Sequence, residues 1–160
     1  MDYDKMAESY EELHKEEQLK KVRIIRDNLI IKPSDKLLDV GSGTGFYLNK
    51  FPCKVFAIDP SKELLKQNKY PHKQASAENI PFTDNAFDIV ISVTAIHNFD
   101  DIEKGLKEMK RVGKQQFALS ILKRSEKFKQ IEKLIKKHFN ITKIIEEEKD
   151  VIYIAKKTLN

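Results

Sequence analysis

Apolar positions follow two rhythms along the chain. From Asp4 to Leu29 the residues Met6, Tyr10, Leu13, Val22, Ile25 and Leu29 recur at helical intervals with Glu and Lys between them, which predicts one broken helix or two. Pro33-Ser34-Asp35 ends that stretch. Short apolar runs then alternate with helical patterns. Strands are predicted at Leu37–Val40, at Val55–Ile58, around His72–Ala75, at Phe87–Val93 and at Gln116–Leu122. Between them fall a short helix to about Phe51, a helix over Lys62–Lys69 stopped before Pro71, and a helix over Asp101–Arg111. Phe128, Ile131, Leu134, Ile135, His138 and Phe139 form one face of a further helix, and Ile141–Glu147 and Val151–Ala155 read as strands joined by the turn Glu148-Lys149-Asp150. Such alternation requires a mainly parallel sheet covered on both faces, with its ligand at the carboxyl ends of the strands.

The chemistry concentrates at two strand tips. Leu37-Leu38-Asp39-Val40-Gly41-Ser42-Gly43-Thr44-Gly45 is a buried strand that ends in an acid and breaks into a glycine loop. Gly41, Gly43 and Gly45 permit positive φ and a close approach of bare backbone to a ligand. Fourteen residues after Gly45 a second run ends in Asp59, where an acid gripping an adenosine ribose is expected. Dinucleotide loops place glycines first, third and sixth; here they fall first, third and fifth, and the sixth position is Phe46. Asp39 also puts negative charge where a pyrophosphate would be repelled. A nucleoside with a cationic amino-acid end fits better: S-adenosylmethionine has a ribose diol, an adenine, an ammonium and a sulfonium, and no phosphate. Taken singly, a glycine loop is a tight turn, Asp59 a helix cap and Glu78 a surface acid. Their order and spacing favour one shared site.

At these residues the chain resembles class I S-adenosylmethionine-dependent methyltransferases. The first motif is Leu38–Gly45 and the second Ile58-Asp59-Pro60-Ser61, while Gln74–Phe82 resembles the adenine-binding segment and Phe87–Val93 the fourth strand. The similarity extends over roughly residues 3 to 157 by pattern and is greatest to small members of the ubiquinone-biosynthesis-type (methyltransferase domain 11-like) group. It implies a single Rossmann-like, doubly wound α/β domain with a seven-stranded, mainly parallel sheet in the order 3-2-1-4-5-7-6, the last strand pair antiparallel. Residues 1–32 would form the N-terminal helical segment and 33–160 the core. The resemblance assigns Asp39 and the Gly41 and Gly43 backbone to the methionine portion of the cofactor, Gly45 to the same cofactor-binding loop, and Asp59 to the ribose. Pro60, Ser76, Ala77 and Glu78 go to the adenine, and Ser92 and Val93 to a carbonyl facing the ammonium. Ser76 departs from the aspartate that many relatives use at the adenine amino group. S-adenosylhomocysteine would be the product.

Composition narrows the picture. At 160 residues the chain is one domain, long enough to bury roughly 70% of its unfolded surface. It has no apolar run of membrane-spanning or signal-peptide length, so a cytoplasmic protein without a membrane partner is expected. Its single cysteine, Cys53, makes neither an internal disulfide nor a thiolate zinc site, and His14, His72, His97 and His138 are not spaced as metal ligands, so no metal is expected. The net charge of +5 is uneven: residues 101–143 hold 13 Lys or Arg against 5 Asp or Glu. That region is either the solvated face of surface helices, the commoner case, or a contact for RNA or an acidic protein.

Methyl transfer is an in-line displacement that needs alignment and exclusion of water more than acid–base groups. His97, just past the fourth strand, is a candidate base for an oxygen or nitrogen nucleophile, set against a purely structural place in its loop. Tyr10, with Tyr3, resembles the tyrosines of the segment that closes over the cofactor in relatives, against an ordinary helical packing role. No Asn-Pro-Pro-Tyr follows strand four, which disfavours the amino-group chemistry tied to it, and one cysteine before strand two disfavours a thiolate route to 5-methylcytosine. Besides a self-sufficient methyltransferase of unidentified acceptor, two alternatives stay open: a catalytic subunit needing an activator to modify RNA or a translation factor, and a non-catalytic binding module. Saturable NAD binding would instead indicate a dehydrogenase.

Overall fold

A computed structural model describes residues 3–157, with side chains for residues 9 and 11–157. Helix α1 (Tyr3–Asp27) is one continuous helix, not two, because no Gly or Pro interrupts it. It ends where the Asn28 side-chain amide donates to the Ile24 carbonyl at 2.8 Å. The strands follow as β1 (Lys36–Val40), β2 (Lys54–Asp59), β3 (His72–Gln74), β4 (Phe87–Val93), β5 (Gly113–Leu122), β6 (Asn140–Glu146) and β7 (Asp150–Lys156). They form one sheet in the order β3-β2-β1-β4-β5-β7-β6, parallel through β5 and antiparallel where β7 meets β5 and β6.

Both faces of the sheet are covered. Leu38, Val90, Phe117 and Tyr153 pack with Leu106 and Met109 of α3 (Ile102–Val112) and Ile131 and Ile135 of α4 (Phe128–His138). Leu37, Ile89, Ile91, Ala118 and Ile152 face the other way, onto Val22 and Ile25 of α1 and onto Leu48. Burial on both sides explains why β4 reads as a nearly unbroken apolar run. The edge strand β6 alternates less cleanly and leaves Ile144 half exposed.

Two predicted helices are shorter than their sequence patterns. The segment to Phe51 holds only a 3-10 turn, Leu48–Lys50. Helix α2 spans Lys62–Leu65 instead of reaching Lys69. Ser61 caps its start, its hydroxyl accepting from the Leu64 amide at 3.2 Å. It stops early because Asn68, buried under the glycine loop, donates to Ser42 Oγ and to the Gly43 carbonyl while accepting from the Tyr70 amide.

The segment between β3 and β4 is fastened to α3. Arg111 donates to the carbonyls of Ile80 and Phe82 at 2.9 Å each, and Glu108 accepts from the Ile80 amide at 3.1 Å. The Glu108 carboxylate beside it holds the Arg111 guanidinium above its ordinary range. Arg111→Met is expected to raise amide hydrogen exchange across residues 78–84 while exchange in β4 stays unchanged, a contrast that mass spectrometry reads directly.

Candidate functional site

A cleft of about 1030 Å³ opens at the carboxyl ends of β1, β2 and β4. That is the upper end of the usual range for small-molecule sites. The glycine loop forms one wall. Gly41, Gly43 and Gly45 have φ of +82°, +56° and +66°, the left-handed conformations expected of their spacing. A Cβ on Gly41 would sit 2.7 Å from Ala95 Cβ, so this wall is bare backbone by necessity. Gly41→Ala combines that clash with left-handed backbone, itself about 1–2 kcal/mol for a residue with a Cβ. A loss of at least that much stability on chemical denaturation is expected, together with weakened ligand binding in calorimetry.

Asp59 ends β2 on the floor of the cleft, nearly buried. Its Oδ2 accepts from the Gly43 amide at 2.9 Å and its Oδ1 from the Ser61 amide at 2.8 Å. Each oxygen keeps a further lone pair, enough to accept from two vicinal hydroxyls. One carboxylate thereby ties the glycine loop to the tip of β2. Pro60, Ser76, Ala77 and Glu78 line the adjacent wall. Glu78 Oε1 is already engaged, accepting from the Asp100 amide at 2.9 Å, so Glu78 also braces the loop that leads to α3.

Three residues assigned to the cofactor lie off the cleft surface. Asp39 is wholly buried beneath the loop, where Tyr47 donates its hydroxyl to Oδ2 and Oδ1 has no partner. Gly45 packs inward, since a Cβ there would meet Asn68 at 2.6 Å and Leu48 at 2.9 Å. Ser92 is also buried, and its hydroxyl donates to the Val40 carbonyl at 2.8 Å, joining β4 to β1. The exit of β4 reaches the cleft one step later, through Val93, Thr94 and Ala95. The side chains of Tyr3 and Tyr10 lie outside the described residues.

Thr94 has φ of +52°, rare for a β-branched residue. Its amide donates to Ser120 Oγ at 2.8 Å, its hydroxyl donates to Asp150 Oδ2 at 2.6 Å, and Lys21 Nζ lies 3.2 Å from Thr94 Oγ1. Lys21, from α1, also forms a buried ion pair of 3.0 Å with Asp150. Lys149 pairs with Glu17 at 3.0 Å close by. These contacts dock α1 against the β6–β7 turn, so that Leu13, His14, Lys15 and Gln18 overhang the cleft. Lys21, Thr94 and Asp150 were not among the candidates; the available signal was Lys21 itself, a cation on the helical stripe of Gln18, Val22 and Ile25.

His97 lines the cleft after β4. Burial lowers its pKa, and its Nδ1 is buried without a partner among the described residues. Lys127 Nζ donates to the His97 carbonyl at 3.2 Å and fixes the loop. Neutral imidazole beside an open cavity is suited to take up a proton. Among the described residues no group of three or more His, Cys, Asp or Glu is placed to hold a metal ion, and no helix is long and apolar enough to cross a membrane.

The residues present fit a cationic nucleoside: a diol acceptor at Asp59, a backbone cradle that a Cβ would fill, and a buried carboxyl oxygen left unpaired under the loop. Comparison with known proteins agrees. Residues 38–120, just over half the chain, match a family described as a methyltransferase domain. An uncharacterised protein of Methanocaldococcus jannaschii is 35% identical over 168 aligned positions, covering 92% of this chain and 65% of its own. A demethylmenaquinone methyltransferase of Chlorobaculum parvum is 39% identical over 86 positions, 48% of this chain and 36% of its own. This chain thus spans between roughly a third and two thirds of the length of these curated relatives. A solved S-adenosylmethionine-dependent methyltransferase from Aquifex aeolicus shares the fold, with a TM-score of 0.72 at 22% identity over 88% of this chain and 89% of that one.

Proposed function

The chain belongs to the methyltransferase domain family of S-adenosylmethionine-dependent enzymes, and from that premise we propose that it transfers a methyl group to an oxygen or nitrogen nucleophile admitted beside His97. The observation that carries this reading is Asp59, which lines the cleft and whose two oxygens hold the glycine loop and the start of α2 while each keeps a further lone pair. Bound there, S-adenosylmethionine supplies a methyl group already activated by its sulfonium. Asp59 would accept from the ribose hydroxyls, Gly41 and Gly43 would leave room for the methionine portion, and Pro60, Ala77 and Glu78, which line the cleft, would flank the adenine. Thr94 and Ala95 present the backbone end of β4. His97, kept neutral by burial, takes the proton that the nucleophile gives up. Leu13, His14 and Gln18 of α1 overhang the cleft, where they would limit the access of water.

The acceptor is best sought by chemistry. Residues 123–138 carry seven Lys or Arg against two Glu, and Arg124 reaches the cleft. That charge supports a second reading in which the acceptor is RNA. Incubation with methyl-labelled cofactor and fractionated cell extract tests both. Label in a small-molecule or protein fraction supports the first reading alone, label in RNA supports the second, and no transfer to any fraction counts against both.

A further inference from the structure

Asp39 is a carboxyl group with no exposure, at the carboxyl end of β1. From the turn after the glycine loop, Tyr47 donates to its Oδ2; Oδ1 has no partner among the described residues. From β2 it faces Asp59, a like charge. No cation among the described residues is paired with it. A carboxylate so placed is costly, and holding a proton is the cheapest relief. Tyr47 connects this buried group to the cleft, because the same side chain lines it.

We propose that Asp39 is protonated while no positive charge occupies the cleft and releases that proton when a cationic nucleoside binds, so that the protein reads ligand charge through a carboxyl group the ligand need not touch. The inference rests on the methyltransferase reading and extends it from shape to charge. Desolvation and the Asp59 charge push the Asp39 carboxyl up to about 7, opposed by the Tyr47 hydrogen bond, so the proton is present in the empty protein below neutrality. A cation above the loop favours the ionised form. Below about pH 7 binding must expel the proton, and affinity therefore rises with pH by as much as tenfold per unit before levelling off. S-adenosylhomocysteine lacks the sulfonium charge and expels less, so it competes with S-adenosylmethionine increasingly well as the pH falls.

Calorimetric titration with S-adenosylmethionine at about pH 6.5, in buffers of differing ionisation enthalpy, measures the release. At that pH the cofactor's own amino group, of pKa about 7.7–8.0, stays charged. Release of about three-quarters of a proton more by the wild type than by Asp39→Asn is expected, the share held at that pH by a carboxyl titrating at about 7, the variant subtracting any contribution from His14 and His97, which also line the cleft. Binding without release, or equal release by the variant, would overturn the proposal and leave the methyltransferase reading standing. No binding at all would overturn both. Should Asp39→Asn fail to fold, Tyr47→Phe serves instead: losing the hydrogen bond that favours the ionised form moves the levelling-off of affinity to higher pH, and an unmoved or lowered profile would overturn the proposal.

Discussion

Asp59→Ala is expected to weaken binding of S-adenosylmethionine by about 1.5–3 kcal/mol, roughly ten- to a hundredfold in Kd, the range for hydrogen bonds to a charged group. The carboxylate serves two purposes at once. On the methyltransferase reading it accepts from the ribose, and it already accepts from the Gly43 and Ser61 amides. Removing it strips the ligand of an acceptor and leaves two backbone donors searching for one, so the glycine loop loosens in the same variant. Asp59→Asn keeps one oxygen and should lose less. Calorimetry on the three proteins checks the order; wild-type affinity in the alanine variant would mean the ribose binds elsewhere.

Lys21→Met is expected to lower stability by about 3–5 kcal/mol. Asp150 has no exposure and Lys21 is 3% exposed in a pair of 3.0 Å. Taking away the ammonium strands the carboxylate, which among the described residues the Thr94 hydroxyl alone then supports. Against a total stability of about 5–15 kcal/mol that is a substantial fraction, worth roughly 6–20 °C in Tm for a chain of this size. Pairing Lys21→Met with Asp150→Asn removes both charges, and the double variant should recover part of the loss. Thermal denaturation of the set measures it. If the single and double variants melt alike, the two residues are not coupled.

The strands, their order and the glycine loop were legible because each rests on a local rule. Apolar runs bounded by turn residues became β1, β2, β4 and β5, and glycines at alternate positions became left-handed turns. The order of the sheet came through resemblance; periodicity alone does not fix which strands pair. The burial of Asp39 was within reach of the pattern: in a strand covered on both faces, alternation leaves no polar side, and Asp39 shares its face with Leu37. Other features depend on partners distant in sequence. Helix α2 stops four residues early because Asn68 is drawn under Ser42 and Gly43, 25 or more positions upstream. Thr94 takes its left-handed turn because Ser120 and Asp150, 26 and 56 positions away, supply its hydrogen bonds. No window along the chain contains that information. Lys21 is the intermediate case: its place on an apolar stripe signals a buried partner without naming Asp150.

One cleft must hold one positively charged nucleoside between the glycine loop and Asp59. A crystal structure of the protein with S-adenosylmethionine addresses this directly. Ribose hydroxyls on Asp59, the amino-acid end over Gly41 and Gly43, and adenine beside Pro60 and Ala77 are expected; a ligand bound away from Asp59, or an empty cleft at saturating ligand, would overturn the assignment.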